Sequence, residues 1–379
     1  MSEFFQWLAG VPPLIQVPVV LLAFAILIAA ILGFVEIATN GGRAFAVVRF
    51  VAAVVVPAAI LLVLGLYNSV MWVAALAAVL GAVLFFADRR SRHGAGSLLQ
   101  LTGFLAPAML LLAIGLIYPT IRTAISAFMA NDGSGFVGLG NFRWVFTSPD
   151  GLTALLNTLV WVLVAPVVST IIGLAYAVFI DKSRGEKFFK LLVFMPMAIS
   201  FVGASIIFKF FYDIRQGDQI GVLNAIITAF GAKPVDWLGL EPWNTLFLVV
   251  ILIWTQAGFA MVILSAAIKG VPAEQLEAAA LDGASPWQRF ANVTLPGIRS
   301  TVIVVLTTIS IASLKVFDIV SSMTGGRSDT TVLAYEMVRQ FQLGARTGYS
   351  SALAVILFIL VLPIIIYNVR QHKKQGVMR

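Results

Sequence analysis

One polar stretch in an otherwise apolar chain, VPAEQLEAAALDGASPWQRFANVTLPG (271–297), gathers Glu274, Glu277, Asp282 and Arg289. Charged residues in such a stretch could belong to a catalytic set or rim a docking element. The rest of the composition narrows that choice. There is no cysteine, which excludes disulfides, thiolate metal sites and a cysteine nucleophile. The two histidines, His93 and His372, sit in basic flanks away from the carboxylates. Catalysis needs a convergent nucleophile, base and orienting group, and here only scattered Asp and Glu remain, so docking through charge and shape is the chemistry left. A second polar set is embedded in apolar runs. Lys315 and Asp318 lie three apart, beside Thr307, Thr308, Ser310 and Ser313, and Thr255 with Gln256 fall midway along another run. Such groups are costly in a membrane and face its protein interior, where they line a pathway or pair to fix packing.

These groups need membrane helices to position them. Of 379 residues, 60% are hydrophobic and 11% charged, and the mean hydropathy is +0.99; soluble domains carry about a quarter charged residues. A hydrocarbon core of about 30 Å takes roughly 20 apolar helical residues. Nine runs fit: 14–35, 47–66, 70–87, 98–118, 153–180, 188–211, 243–268, 299–320 and 350–369. The first is too long for a cleaved leader and no Lys or Arg precedes it. Only Tyr67, Asn68 and Ser69 separate the second and third, which form a tight hairpin or include a re-entrant segment. The expected fold is all-α, a polytopic bundle of about nine spans.

Lys and Arg set its orientation. Alternate loops hold sixteen of them, the opposite loops seven. The richer side is assigned to the cytoplasm, together with 271–297 and the C-terminus, and the N-terminus outside, which requires an odd number of spans. The net charge of +8 then reflects loop anchoring, not nucleic-acid binding. On the opposite side, 123–151 is rich in Gly and aromatics, 220–239 carries a short helix ending near Gly231, and 324–351 an interfacial helix around 331–342. Such loops suit an extracytoplasmic partner, or merely cap the bundle.

Within 271–297, Pro272 suits a first helical position and Glu274 and Glu277 complement the positive helix end. Ala278, Ala279, Ala280 and Leu281 propagate the helix. Asp282-Gly283 stops it, because glycine tolerates the left-handed conformation a stop requires. Ser285, Pro286 and Gln288 form the signature of a capped restart, Trp287 and Phe290 share a face, and Pro296 ends the unit. This is helix, turn, helix. A rigid, charge-rimmed hairpin fits a groove in a partner; the alternative is an amphipathic helix lying on lipid, against which the acidic first arm argues.

EAAALDGASPWQRFANVTLP resembles the cytoplasmic EAA loop of permease subunits of binding-protein-dependent ABC importers. The family pattern falls on Glu277, Ala278, Ala279, Asp282, Gly283, Ala284, Leu295 and Pro296. Matches extend across YPTIRTAISAF (118–128), FVGLGNF (136–142), NTLVW (157–161), VFMPMAIS (193–200), WLG (237–239) and the closing TGG…GYSSALAVILF, and resemble the maltose-type sugar permeases. LKVFDIVSSMTGG (314–326) is most similar to the α-glucoside branch. The family's third Gly and Pro after TGG are replaced by Arg327 and Ser328. Residues 1–95, with three spans, match no motif of it.

The resemblance implies a six-helix core (96–379) behind a three-span extension (1–95), in an inner membrane with its lipid. It implies a second homologous permease, a dimer of ATPase subunits holding ATP and Mg, an extracytoplasmic solute-binding protein and an oligosaccharide such as maltose or trehalose. Glu277, Ala278, Ala279, Asp282, Gly283, Ala284 and Pro296 would couple to the ATPase. The family's sugar contacts point to the runs holding Lys315, Asp318, Thr308 and Ser313, Thr255 and Gln256, and Met197, Ser200 and Phe201 beside Pro196. No G-x-x-x-x-G-K-[ST] run occurs, so no cofactor is expected in this chain and ATP chemistry belongs to another. The runner-up is an importer of another solute, such as glycerol-3-phosphate or a different sugar. A secondary transporter would need no coupling hairpin and would show matching broken helices in two halves.

Overall fold

The computed structural model describes residues 112–376, apart from 181–182, 184, 215–220 and 345. The chain divides into two compact units, Met1–Thr120 and Ile121–Arg379. The spans expected at 14–35, 47–66 and 70–87, most of that at 98–118, and the extension 1–95 lie outside the described residues.

Among the described residues the regular elements are helices: α1 (Tyr118–Ser126), α2 (Gly140–Thr147), α3 (Pro149–Ile180), α4 (Glu186–Phe194), α5 (Phe201–Tyr212), α6 (Val222–Ala229), α7 (Asn244–Lys269), α8 (Ala273–Leu281), α9 (Pro286–Arg289), α10 (Arg299–Leu314), α11 (Asp318–Met323), α12 (Leu333–Gln342) and α13 (Thr347–Gly376). Among the described residues three single helices are long and apolar enough to cross a membrane: Pro149–Ile180, Asn244–Lys269 and Thr347–Asn368. They coincide with the runs expected at 153–180, 243–268 and 350–369.

Three expected spans differ. The run at 98–118 does not end at 118: a wide turn at Ala113–Ile117 leads into α1, which continues to Ser126. Pro119 sits in the first turn of α1, where its missing N–H costs little. The run at 188–211 is two helices, bent by 104° between Glu186–Ala198 and Phe201–Tyr212. Pro196 lies in a tight turn at Met195–Ala198, and Ser200 restarts the helix by accepting from Gly203 N at 3.1 Å. The run at 299–320 stops at Leu314 and restarts at Asp318. Val316 turns into the core at this break, and Asp318 becomes a first-turn acid of α11.

The bundle is built on α3 and α7. One face of α3 buries Ala165, Ser169, Thr170, Gly173 and Ala177. A Cβ on Gly173 would lie 2.4 Å from Ala260 Cβ and 2.7 Å from the Met261 backbone nitrogen of α7. Lipid supplies no hydrophobic drive between helices, so small residues that let backbones approach carry the packing. Around this contact Ala177, Met261, Leu264, Val305, Ile309 and Ile298 form one apolar cluster. Toward the other end, Trp161, Leu248, Leu252, Ile319 and Val320 form a second. A third joins Ala127, Val145, Leu333 and Leu353. The short helix α6 ends as expected, with Gly231 at φ +84.

Gly173→Val is expected to push α3 off α7, at a cost on the order of 1–3 kcal/mol for overpacking. Thermal unfolding of the detergent-purified chain, followed by circular dichroism, should show a lowered midpoint with helical content retained at low temperature.

Candidate functional site

The hairpin between α7 and α10 forms from local signals. Pro272 is the cap preceding α8, one position before the first helical residue expected for it, with φ −55° and ψ 129°. At the other end of α8, Gly283 N donates to Ala280 O at 3.1 Å and Ala284 N to Ala279 O at 3.0 Å. This is the paired pattern of a left-handed helix stop, and Gly283 supplies the required φ of +80°. Ser285 then closes a reciprocal capping box. Its backbone N–H donates to Gln288 Oε1 at 2.7 Å, and its Oγ accepts from Gln288 N at 3.3 Å. The second arm runs from α9 through a widened turn, Phe290–Thr294, to Gly297, and α10 leaves it at 68°.

What the hairpin presents is small, acidic and aromatic. Glu274, Glu277, Ala278, Asp282, Gly283 and Pro296 are exposed, Ala279 and Ala284 half-buried. Leu281 at the tip is 90% exposed and Trp287 73% exposed. Trp287 packs on Phe290 with ring centroids 5.5 Å apart, the shared face the spacing predicts. Glu274, Glu277, Asp282 and Arg289 form no ion pair among the described residues. The tip is open, but the roots are not: Ile298 is buried, and Val271 packs against the same cluster.

The polar residues of the spans are less free than their types suggest. Thr255 is buried and donates to Leu252 O at 2.9 Å; Ser313 is buried and donates to Ile309 O at 2.9 Å; Thr308 donates to Val304 O at 2.8 Å. Ser310 does the same with Leu306 O at 2.8 Å. Thr307 accepts from Asn368 Nδ2 at 2.8 Å and so ties α10 to α13. Gln256 is half-buried beside Thr255, Met197 and Ser200 are exposed, and Phe201 is half-buried. Lys315 and Asp318 do not share a helical face: the break at 315–317 separates them, both are exposed, and no ion pair joins them. One apolar cluster nevertheless draws together Phe201 of α5, Trp254 of α7 and Val316 of that break.

Two arrangements at the far end of α3 and α7 escaped sequence reasoning. Asn157 Nδ2 donates to the carbonyls of Asp329 (2.6 Å) and Thr331 (2.8 Å), and Asn244 Nδ2 to Ser328 O (2.5 Å). They hold a loop in which Gly325, Gly326, Ser328 and Asp329 all have positive φ; for Ser328 and Asp329 that conformation costs about 1–3 kcal/mol each. The other is the inward-facing polar side of α12, the helix expected around 331–342: Glu336 and Gln340 are fully buried. Gln340 Nε2 donates to Glu336 Oε1 at 2.6 Å, and Arg339 Nη2 donates to Glu336 Oε1 at 3.0 Å and to Asp150 at 2.5 Å. Burial works against the Arg339 charge, yet Glu336 and then Asp150 hold its guanidinium above its ordinary value. An Asn opening an apolar run was the available signal for the first; for the second there was none.

A long-helix bundle carrying an exposed capped hairpin can be set beside known proteins. Residues 151–375 match the model of the binding-protein-dependent transport system inner membrane component. The chain belongs to this family. It is therefore a multi-pass inner-membrane permease component, and the hairpin and both of its flanking helices fall within the matched region. Among curated relatives, the alpha-glucoside transport system permease protein AglF of Rhizobium meliloti (strain 1021) is 46% identical over 72% of this chain and 82% of its own length. The osmoprotective compounds uptake permease protein GgtC of Synechocystis sp. (strain ATCC 27184 / PCC 6803 / Kazusa) is also 46% identical, over 73% of this chain and 100% of its own. A bacterial alginate ABC transporter, solved in complex with an alginate pentasaccharide-bound periplasmic protein, has a chain of the same fold. Its TM-score is 0.62 at 23% identity, covering 75% of this permease and 95% of that chain.

At Gly283 a Cβ would meet nothing within 4 Å, so a side chain there is penalised only through the left-handed backbone, by about 1–2 kcal/mol. Gly283→Val is expected to raise amide hydrogen exchange in 279–288, leaving α3 and α7 protected as before.

Proposed function

We propose that this permease carries an α-glucoside-type oligosaccharide, of the maltose or trehalose kind, across the inner membrane within an ABC importer. An extracytoplasmic binding protein delivers the solute, a second homologous permease completes the pathway, and a separate pair of ATPase subunits drives transport. The hairpin 271–297 is the coupling element. The observation that carries this reading is the hairpin itself: a doubly capped, exposed unit whose two roots enter the packed bundle. Its acidic arm disfavours an anionic lipid surface, and its exposed Leu281 and Trp287 suit an apolar cleft in a protein. Closure of the ATPase pair displaces the tip, and stiff arms pass that displacement to α7 and α10 as a rigid-body change between two arrangements.

The excess of Lys and Arg in the hairpin-side loops supports a cytoplasmic hairpin and C-terminus, with the N-terminus outside. The strained loop at 325–331 then faces outward as a preformed docking element for the binding protein. Lys315, Asp318, Thr308, Ser313, Thr255, Gln256, Met197, Ser200 and Phe201 are the proposed pathway residues, and 1–95 an added three-span extension to the core 96–379. The equal identity to GgtC supports a second reading, an osmoprotective solute in place of a nutrient sugar.

Reconstitution tests the role. The chain alone in liposomes should move neither maltose nor trehalose. With its ATPase, partner permease and binding protein, uptake should depend on ATP; uptake by the chain alone without nucleotide would end this reading. Glu277→Ala is expected to lower co-purification of the ATPase several-fold, whereas Gly283→Val should keep the ATPase bound while ATP hydrolysis continues with little uptake.

For the pathway, Lys315→Ala and Gln256→Ala are expected to cut uptake with assembly intact. Unchanged uptake in both removes those residues from the pathway.

A further inference from the structure

The Glu186 carboxylate ties the stem of the hairpin to a neighbouring helix. Glu186 Oε1 accepts from Lys269 Nζ at 2.7 Å and from Lys190 Nζ at 2.7 Å. Lys190 Nζ also donates to Ser265 Oγ at 2.6 Å. Lys269 is the last residue of α7, and only Gly270 separates it from the hairpin. Glu186 opens α4, 83 positions away in sequence.

The contact is in register along the whole of α4. A Cβ on Gly258 would lie 2.3 Å from the Val193 carbonyl oxygen, so the end of α4 presses directly on the α7 backbone. Val193 thus faces Gly258, Lys190 faces Ser265, and Glu186 faces Lys269. The numbers descend on one helix as they rise on the other, so α4 runs antiparallel along about the last three turns of α7. A steric contact without a side chain pins one end, and the Glu186 ion cluster pins the other. Beyond α4 the chain bends by 104° into α5. Ala204 and Tyr212 of α5 share a cluster with Val316 and Ile319, which follow α10. The first root of the hairpin therefore reaches α5 through α4, and the second reaches it through α10 and the 315–317 break.

Glu186 and Lys190 alone, four apart on one helix, would add little. Lys269 changes the meaning of the pair, because the shared oxygen joins two helices instead of one. We infer that Glu186 is a positioning residue that locks the hairpin stem to α4, so that a displacement of the hairpin is passed to the bent α4–α5 segment and not lost at Gly270. This rests on the coupling role proposed for the hairpin, and it adds a second route from hairpin to bundle that does not run along the chain.

Spin labels at L191C in α4 and A280C in α8 read the lock, since this chain has no native cysteine. In the purified complex with ATPase and partner permease, the distance between the labels is expected to be narrowly distributed and unchanged by ATP with vanadate. E186Q should roughly double the width of that distribution and let it shift with nucleotide. The exchange E186K/K269E keeps the same charges in the cluster and should restore the narrow distribution, which loss of local structure would not do. If E186Q does not assemble, K269Q, which keeps Glu186 with Lys190, should give the same broadening. The lock is overturned if E186Q or K269Q stays as narrow as the parent, if the parent distance shifts with nucleotide, or if the exchange remains broad. If the parent binds no ATPase, the coupling role falls instead; the lock is then read in the chain alone, where E186Q must still broaden the distribution.

Discussion

At Gly173 two long apolar helices meet with no room for a side chain, and most of the bundle can be traced outward from that contact. In lipid the gain from bringing helices together comes from close van der Waals packing and from hydrogen bonds the bilayer cannot supply. Once α3 and α7 are in backbone contact, α7 has a fixed position, and α4 is laid along its other side through Gly258. α10 returns to the same pair through Val305 and Ile309. Both roots of the hairpin therefore emerge from one packed unit. Its tip is exposed, but its base is as well anchored as any part of the core.

The hairpin and the bundle are held by different physics. The bundle depends on packing between segments far apart in sequence. The hairpin depends on hydrogen bonds within a few residues: the Gly283 stop and the Ser285–Gln288 box. Local bonds of this kind set the shape of the tip without contacts from the core, while the packed roots at Val271 and Ile298 hold the hairpin in place. A force transmitter in the proposed sense needs this separation, because an element shaped by its own partner would yield to it.

That difference explains what could be read from the residues alone. Gly283, Ser285, Pro286 and Gln288 are local signals, and each formed the turn or cap its type predicts. The long apolar runs 153–180, 243–268 and 350–369 are equally legible, because span length is set by bilayer thickness and not by neighbours. The breaks at 199–200 and 315–317 were not. Hydropathy averages over both sides of a bend, and Val316 reads as simply apolar; Pro196 is a local breaker signal, but a run of the right length hides it. Nor could counting charges reveal that Glu186 gathers two lysines, one of them 83 positions away. As single residues in loops they report only orientation; their joint meaning depends on α4 lying against α7.

The fate of the polar groups sorts the spans into closed and open parts. Thr255, Ser313 and Thr308 each spend their proton on their own helix, and Thr307 meets Asn368. Thr255 and Ser313 are buried with these bonds, whereas Thr308 is exposed, and each oxygen keeps a lone pair that can still accept from another donor. Lys315 and Asp318 differ. They flank a helix break, they are exposed, and no ion pair joins them within the described residues. Charges left so in hydrocarbon are too costly to persist. In the membrane that surface must therefore meet water, a charged headgroup region or another protein chain. The break at 315–317 is accordingly poorly compatible with lipid, and it sits beside the cluster that joins α5, α7 and α11. A pathway completed by a second permease would be lined where one chain alone leaves its charges unanswered.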